Sequence, residues 1–215
     1  MELRAEKVHK IIRGKKILSD INLELYGGKI YGFIGANGSG KTMLFRALSG
    51  LMSVTSGVIT LEGKVLHKEF SVLPSLGILL ENIGLYSNMT GMQNLRYLAN
   101  IKHEIQDEEI RRAIQRVGLD PDDRRKYQKY SLGMKQRLAI AQAIMERPDV
   151  IMLDEPTNSL DEKGVEEFRQ LILEEKERGA LILLASHNQE DICLLADYIY
   201  KIDGGRIVHR EVNGK

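Results

Sequence analysis

Eight residues near the N-terminus have the spacing of a phosphate-binding loop. They are Gly35, Ala36, Asn37, Gly38, Ser39, Gly40, Lys41 and Thr42, and they fit the pattern G-x-x-x-x-G-K-S/T. Glycines allow a tight turn whose main-chain N–H groups face inward, and the positive end of the following helix also attracts an anion. In such a loop Lys41 reaches the β- and γ-phosphates, and the Thr42 hydroxyl binds Mg²⁺. The loop therefore predicts a site for a nucleoside triphosphate.

A second group of reactive residues follows the apolar run 150–153, where Asp154 and Glu155 stand side by side. Ligands of parallel α/β sheets gather at the carboxyl ends of the strands. At such an edge Asp154 would hold Mg²⁺, directly or through water, and Glu155 would act as general base toward an attacking water. Two acids after an apolar strand are a weak signal alone, and the phosphate loop upstream strengthens it.

The rest of the pattern predicts the elements that would position these residues. Ile21, Leu23 and Leu25 alternate with polar residues, as in a half-buried strand. Buried strands are expected from apolar runs at 30–34, 76–80, 150–153 and 181–184. Between about 83 and 146 the spacing is helical, with Thr90 as a cap, which predicts a helical insert in an α/β core.

Composition limits the class of protein. A chain of 215 residues suits one large α/β domain or a core with a subdomain. Because 31 basic residues nearly balance 30 acidic ones, nothing indicates a nucleic-acid partner. The single Cys193 excludes an internal disulfide and fits a reducing compartment. No run approaches the roughly 20 apolar residues that span a bilayer, so we expect a cytoplasmic protein that reaches the membrane only through a partner.

Further motifs make nearly the whole chain resemble the nucleotide-binding subunits of ATP-binding-cassette (ABC) transporters. The run 130–137 resembles the signature motif of that family; it departs from Leu-Ser-Gly-Gly-Gln but keeps Ser131 and Gly133. Residues 159–161, ending in Asp161, match the D-loop, and His187 matches the switch histidine. The order and spacing of these motifs exclude coincidence.

The resemblance implies a P-loop NTPase fold of the ABC type, as one domain over 1–215. Its mainly parallel core sheet would carry an antiparallel β subdomain, formed by the N-terminal region and 57–70, and a helical subdomain over about 83–146. It also implies ATP hydrolysis by two subunits, paired head to tail with two ATP molecules between them.

Within that dimer the resemblance assigns roles to the later motifs. Ser131 and the amides around Gly133 would meet the γ-phosphate held by the other subunit, and His187 would contact the γ-phosphate. Asp161 also has a plain role as the N-terminal charge of the helix expected over 161–178, and both roles can hold together.

Two positions depart from the family pattern. Glu81 stands where a glutamine usually senses Mg²⁺ and the membrane partner, an exchange similar to that in bacterial lantibiotic-immunity subunits; a neutral substitution is the alternative. No aromatic residue precedes Gly14 to stack on adenine. Arg13 either stacks its guanidinium plane on the base or is a solvated turn residue.

The resemblance thus predicts the ATPase subunit of a bacterial exporter, working with ATP, Mg²⁺ and a separate transmembrane permease. The subunit would lie peripherally on the inner face of the cell membrane. A peptide antibiotic, a lipid-like compound or a drug is the expected substrate. A soluble ABC ATPase that acts on ribosomes or DNA, and an importer subunit, are the alternatives.

Overall fold

The alternating N-terminal sequence folds into an antiparallel sheet. The computed structural model describes residues 1–80, 84–187 and 189–214. Four strands form this sheet: β1 (Glu2–Ile12), β2 (Lys15–Tyr26), β4 (Ser56–Leu61) and β5 (Lys64–Val65). They pair in the order β2-β1-β4-β5, and a hairpin turn at Arg13 and Gly14 connects β1 to β2.

The apolar runs form a second, mainly parallel sheet. Its strands are β3 (Lys29–Ile34), β6 (Leu76–Leu79), β7 (Val150–Asp154), β8 (Leu181–Ser186), β9 (Tyr198–Asp203) and β10 (Arg206–Val212). The order is β10-β9-β3-β8-β7-β6. Among the described strands of this sheet, only β9 and β10 pair antiparallel, and they form one edge of the sheet.

The sequence of strand β7 is a continuous apolar run because both faces of the strand are buried in hydrophobic cores. Ile151 and Leu153 pack into the hydrophobic core that contains the helices between β6 and β7. Val150 and Met152 pack into the core shared with the antiparallel sheet. Burial on both faces is typical of parallel sheets and leaves polar side chains only where the strand ends.

Helices occupy the predicted positions. They are α1 (Lys41–Ser49), α2 (Gly91–Lys102), α3 (Asp107–Arg116), α4 (Leu132–Ile144), α5 (Glu162–Glu177) and α6 (Gln189–Leu195). Thr90 starts α2 with a capping box: its side chain accepts from the Gln93 N–H, and the Gln93 side chain accepts from the Thr90 N–H. The helical segment α2–α4 lies between β6 and β7 in the chain, so the expected fold class is confirmed.

Strand register brings the polar strand ends together. Ile34 pairs with Ser186, and Asp154 pairs with Ala185, at the carboxyl edge of three adjacent parallel strands. The residues that follow β3, β7 and β8 therefore meet at one edge. Among the residues described, no helix has the length and apolar character needed to cross a membrane.

Candidate active site

The phosphate loop turns directly from β3 into α1. Ser39 N–H donates to the Ala36 carbonyl at 3.0 Å, which closes the turn. Gly40 is the N-cap of α1 with a left-handed φ of 113°, a conformation that would strain an L side chain, and no side chain caps this helix end. The first N–H groups of α1 are thus left for a ligand, as an anion site requires.

The Lys41 side chain lies inside this loop. It is 6% exposed, and its Nζ donates to the Gly35 carbonyl at 2.7 Å. The same Nζ is 3.9 Å from Glu155 Oε1. The Lys41 ammonium group thus lies between the phosphate loop and Glu155, the acid that follows β7. A phosphate bound by the loop would lie next to both the ammonium group and this acid.

Thr42 and Asp154 form the pair that the sequence predicted for a metal ion. The Thr42 hydroxyl donates to Asp154 Oδ2, and the carboxylate is nearly buried at the end of β7. A hydroxyl and a carboxylate oxygen in contact fit the ligand preference of Mg²⁺, which takes few protein ligands beside phosphate and water. The described residues hold no cluster of three or more His, Cys, Asp or Glu that would bind a metal alone.

Glu155 is held in an uncommon conformation beside His187. Its φ is +51°, in the left-handed region, and its N–H donates to the Ala185 carbonyl at 2.8 Å. Its Oε2 is 2.7 Å from His187 Nδ1 and 3.4 Å from the Ser186 hydroxyl. Its Oε1 is buried and accepts no hydrogen bond among the described residues. This oxygen keeps its lone pairs for a ligand or a water.

A cleft of about 620 Å³ joins these groups. Its lining includes the phosphate loop, Asp154, Glu155 and His187, together with Lys15 and Lys16 at the start of β2. The structure thus brings together the predicted phosphate, metal and general-base residues.

The remaining predicted residues lie outside the described lining of that cleft. Ser131 caps α4, accepting from the Met134 N–H at 3.2 Å, and Gly133 lies where a Cβ would be 2.9 Å from the Ser159 carbonyl. Asp161 caps α5; the Gly164 N–H and the nearby Arg137 lower the pKa of this carboxyl.

The two residues that depart from the family pattern have different outcomes. Arg13 is an exposed turn residue with φ +49°, and the cleft is lined at that edge by Lys15, Lys16 and Ile17 instead. Glu81 lies outside the described residues, so its predicted role stays a prediction.

The comparison with known proteins decides the family. The family profile described as ABC transporter matches residues 18–158. This chain belongs to the ABC transporter family. As an ABC ATPase it binds and hydrolyses ATP.

Curated relatives and solved structures agree with this assignment. The chain is 48% identical over 198 residues to the uncharacterized ABC transporter ATP-binding protein YybJ of Bacillus subtilis, covering 92% of this chain and 91% of that protein. It is 35% identical to the lantibiotic transport ATP-binding protein SrtF of Streptococcus pyogenes, over 99% and 92% of the two chains. The dimeric bacterial ABC transporter cassette MJ0796 has the same fold, with a TM-score of 0.89 at 20% identity over 99% of both chains.

The sequence did not indicate that the C-terminal hairpin supports the phosphate loop of this ABC ATPase. Gly205, in the β9–β10 turn, donates its N–H to the Ser39 carbonyl at 2.8 Å and accepts from the Ser19 N–H at 2.9 Å. A Cβ at Gly205 would lie 2.0 Å from the Ile17 carbonyl. Two consecutive glycines at 204–205 are typical of a turn, but their contact with the loop depends on the packing of distant strands.

We expect Gly205→Ala to destabilise the ABC ATPase and to weaken ATP binding. The Cβ would collide with backbone rather than with a movable side chain. Gly204→Ala is the matched control: Gly204 also has a positive φ, of 51°, but nothing lies within 4 Å of its Cβ position. Chemical denaturation should show a loss for Gly205→Ala about 1–3 kcal/mol larger than for the control. Equal losses would show that the contact with Ile17 has no effect.

Proposed function

We propose that this ATPase powers the export of an antimicrobial peptide or a similar membrane-active compound through a separate membrane subunit. The observation that carries the catalytic part is the position of Glu155, between His187 and Lys41 at the cleft. The transport part rests on the family and on a relative named for lantibiotic transport.

The first part of the mechanism is binding of the triphosphate. The N–H groups of the loop and of α1 bind phosphate oxygens, and Lys41 moves its hydrogen bond from the Gly35 carbonyl to the β- and γ-phosphates. Thr42 and Asp154 would hold Mg²⁺, which when bound neutralises negative charge on the β- and γ-phosphates.

The second part is activation of water. Glu155 accepts a proton from the water that attacks the γ-phosphorus, and the P–O bond to ADP breaks as the new P–O bond forms. His187 holds the Glu155 carboxylate through the 2.7 Å contact, and it lies at the rim of the cleft where it can also contact the γ-phosphate. A positioned base of this kind contributes typically 10²–10⁴-fold, on the order of 3–5 kcal/mol.

The third part is completion of the site by a second subunit. Ser131 caps the first turn of α4 and is not part of the described lining of the cleft, and Leu132 beside it is 72% exposed. The phosphate loop and the start of α4 are thus two separate anion sites. Within one chain, these two sites do not bind the same phosphate. A head-to-tail dimer would place Ser131 of the partner subunit at the γ-phosphate, and the dimeric cassette with this fold supports such pairing.

The membrane subunit would dock on an exposed apolar surface formed by Tyr86 and two residues of α2. This surface consists of Tyr86 and Tyr97, whose rings stack edge to face 5.1 Å apart, and Ile101 one turn further along α2. These side chains are 46%, 48% and 71% exposed. Buried Asn94 holds Tyr86 in place through hydrogen bonds to its N–H and carbonyl groups. Clustered exposed apolar residues are typical of interaction sites.

Complementation of a deletion strain tests the export proposal. We expect deletion of the gene to increase sensitivity to lantibiotics, and a plasmid copy of the intact gene to restore resistance. Tyr97→Glu should abolish this rescue because it places a charge on the docking surface, while ATP hydrolysis by the isolated subunit stays within about twofold. Tyr26→Glu is the control, since Tyr26 is 47% exposed on the antiparallel sheet. Full resistance with Tyr97→Glu would contradict the docking site, and unchanged sensitivity of the deletion strain to all peptides tested would contradict the substrate class.

A further inference from the structure

We propose that Gln136 is a positioning residue for the general base, acting on Glu155 through the main chain. The inference rests on the proposed role of Glu155. Gln136 lies in the second turn of α4, the helix that Ser131 opens, and its side chain is half-buried. Its Nε2 donates to the Pro156 carbonyl at 2.8 Å and to the Glu155 carbonyl at 3.3 Å. The Gln136 amide group thus connects α4 to the main-chain carbonyls of Glu155 and Pro156.

Glu155 requires such a tie because its backbone is strained. A left-handed φ at a residue other than glycine is unfavourable and persists only when the surroundings impose it. On the N-terminal side, the Glu155 N–H is held by the Ala185 carbonyl of β8 at 2.8 Å. On the C-terminal side, the Gln136 amide holds the next two carbonyls. Both peptide units that flank the Glu155 Cα are therefore fixed, and they set the direction of its carboxylate toward His187.

Arg137, the next residue of α4, holds the far end of the segment that follows Glu155. Arg137 donates to the Val117 carbonyl at 2.7 Å and lies 3.4 Å from Asp161. The segment 155–161, which runs from the base to the start of α5, is thus attached to α4 near both ends. A displacement of α4 would move Glu155 with it. The Ser131 end of α4 is predicted to bind the nucleotide of the partner subunit, and Glu155 acts on the nucleotide of its own subunit. Gln136 consequently links these two ends of the site.

Gln136→Met removes both hydrogen bonds and keeps nearly the same side-chain length. We expect kcat for ATP to fall roughly 10- to 100-fold, since displacement of a reacting group by about 1 Å costs about 10²-fold. KM and the Kd for ATP should stay within about twofold, because Lys41 and Thr42 keep their contacts. Gln136→Glu should lose at least as much, since an ionised carboxylate cannot donate and would face two carbonyl oxygens.

Gln142→Met is the matched control on the same helix. Gln142 is half-buried, six residues along α4, and its side chain has no hydrogen bond among the described residues. The same chemical change there should leave kcat within about twofold of the unsubstituted protein. Melting temperatures of all variants, measured without nucleotide, report any loss of stability.

The double variant Gln136→Met/Glu155→Gln separates positioning from a structural role. If Gln136 acts through the Glu155 carboxylate, Gln136→Met should lower single-turnover hydrolysis by less than about twofold once Glu155 is glutamine. A full additional 10- to 100-fold loss in that background would overturn the inference, as would an unchanged kcat in the Gln136→Met single variant. A fall in kcat matched by an equal rise in Kd for ATP would also overturn it. Parent-level hydrolysis by Glu155→Gln alone would instead contradict the proposed role of Glu155.

Discussion

Lys41→Ala is expected to abolish ATP binding at micromolar ATP. Lys41 is the buried cation of the loop, and a charge-assisted hydrogen bond contributes about 1.5–3 kcal/mol. An ammonium group that contacts two phosphates should contribute more than one such bond, so we expect the Kd for ATP to rise at least about 100-fold. Titration with a fluorescent ATP analogue measures this directly.

The control for Lys41 is a lysine on the surface. Lys163 is 82% exposed on α5 and forms an ion pair with Glu167, at 3.6 Å, so Lys163→Ala should leave the Kd unchanged. Removal of Lys41 also leaves the Gly35 carbonyl without its donor, and a denaturation curve will separate any loss of stability from the loss of affinity. Retention of micromolar affinity by a folded Lys41→Ala variant would refute the phosphate-binding role of the loop.

Glu155→Gln is expected to stop hydrolysis while ATP stays bound. The amide keeps the shape of the side chain but cannot accept the proton of the attacking water, so kcat should fall about 10²–10⁴-fold. Because Lys41, Thr42 and the loop are untouched, the Kd for ATP should change little. ATP that is bound but not cleaved should keep two subunits together, and light scattering after gel filtration should show a dimer with ATP and Mg²⁺.

Glu177→Gln makes the same chemical change on the exposed side of α5 and should hydrolyse ATP at the parent rate. A Glu155→Gln variant that remains monomeric with saturating ATP would contradict the proposal that a second subunit completes the site, even if hydrolysis is lost. Normal turnover by this variant would contradict the role of Glu155 as base. The two measurements therefore test the dimer and the chemistry separately.

Local signals predicted much of the fold. The cap at Thr90 and the apolar run before Asp154 each depend on neighbouring residues in the chain, and the structure contains both. Helix α3 ends at Arg116, with Gly118 in a left-handed conformation just beyond it, as is common for glycine after a helix. Such features depend on local backbone conformation and on which face of a helix or strand is apolar. Both properties are determined by short stretches of sequence.

The sequence by itself determined that a triphosphate site exists and that its parts follow β3 and β7. Only the tertiary structure decided how distant residues act on those parts. His187 meets Glu155 because β7 and β8 are parallel and in register. Gly205 contacts the phosphate loop and Gln136 holds the peptide after Glu155 because whole elements pack at fixed distances. These contacts join segments far apart in the chain, so no short stretch of sequence determines them. For the strands, a shift of one residue in register would turn every strand side chain to the opposite face.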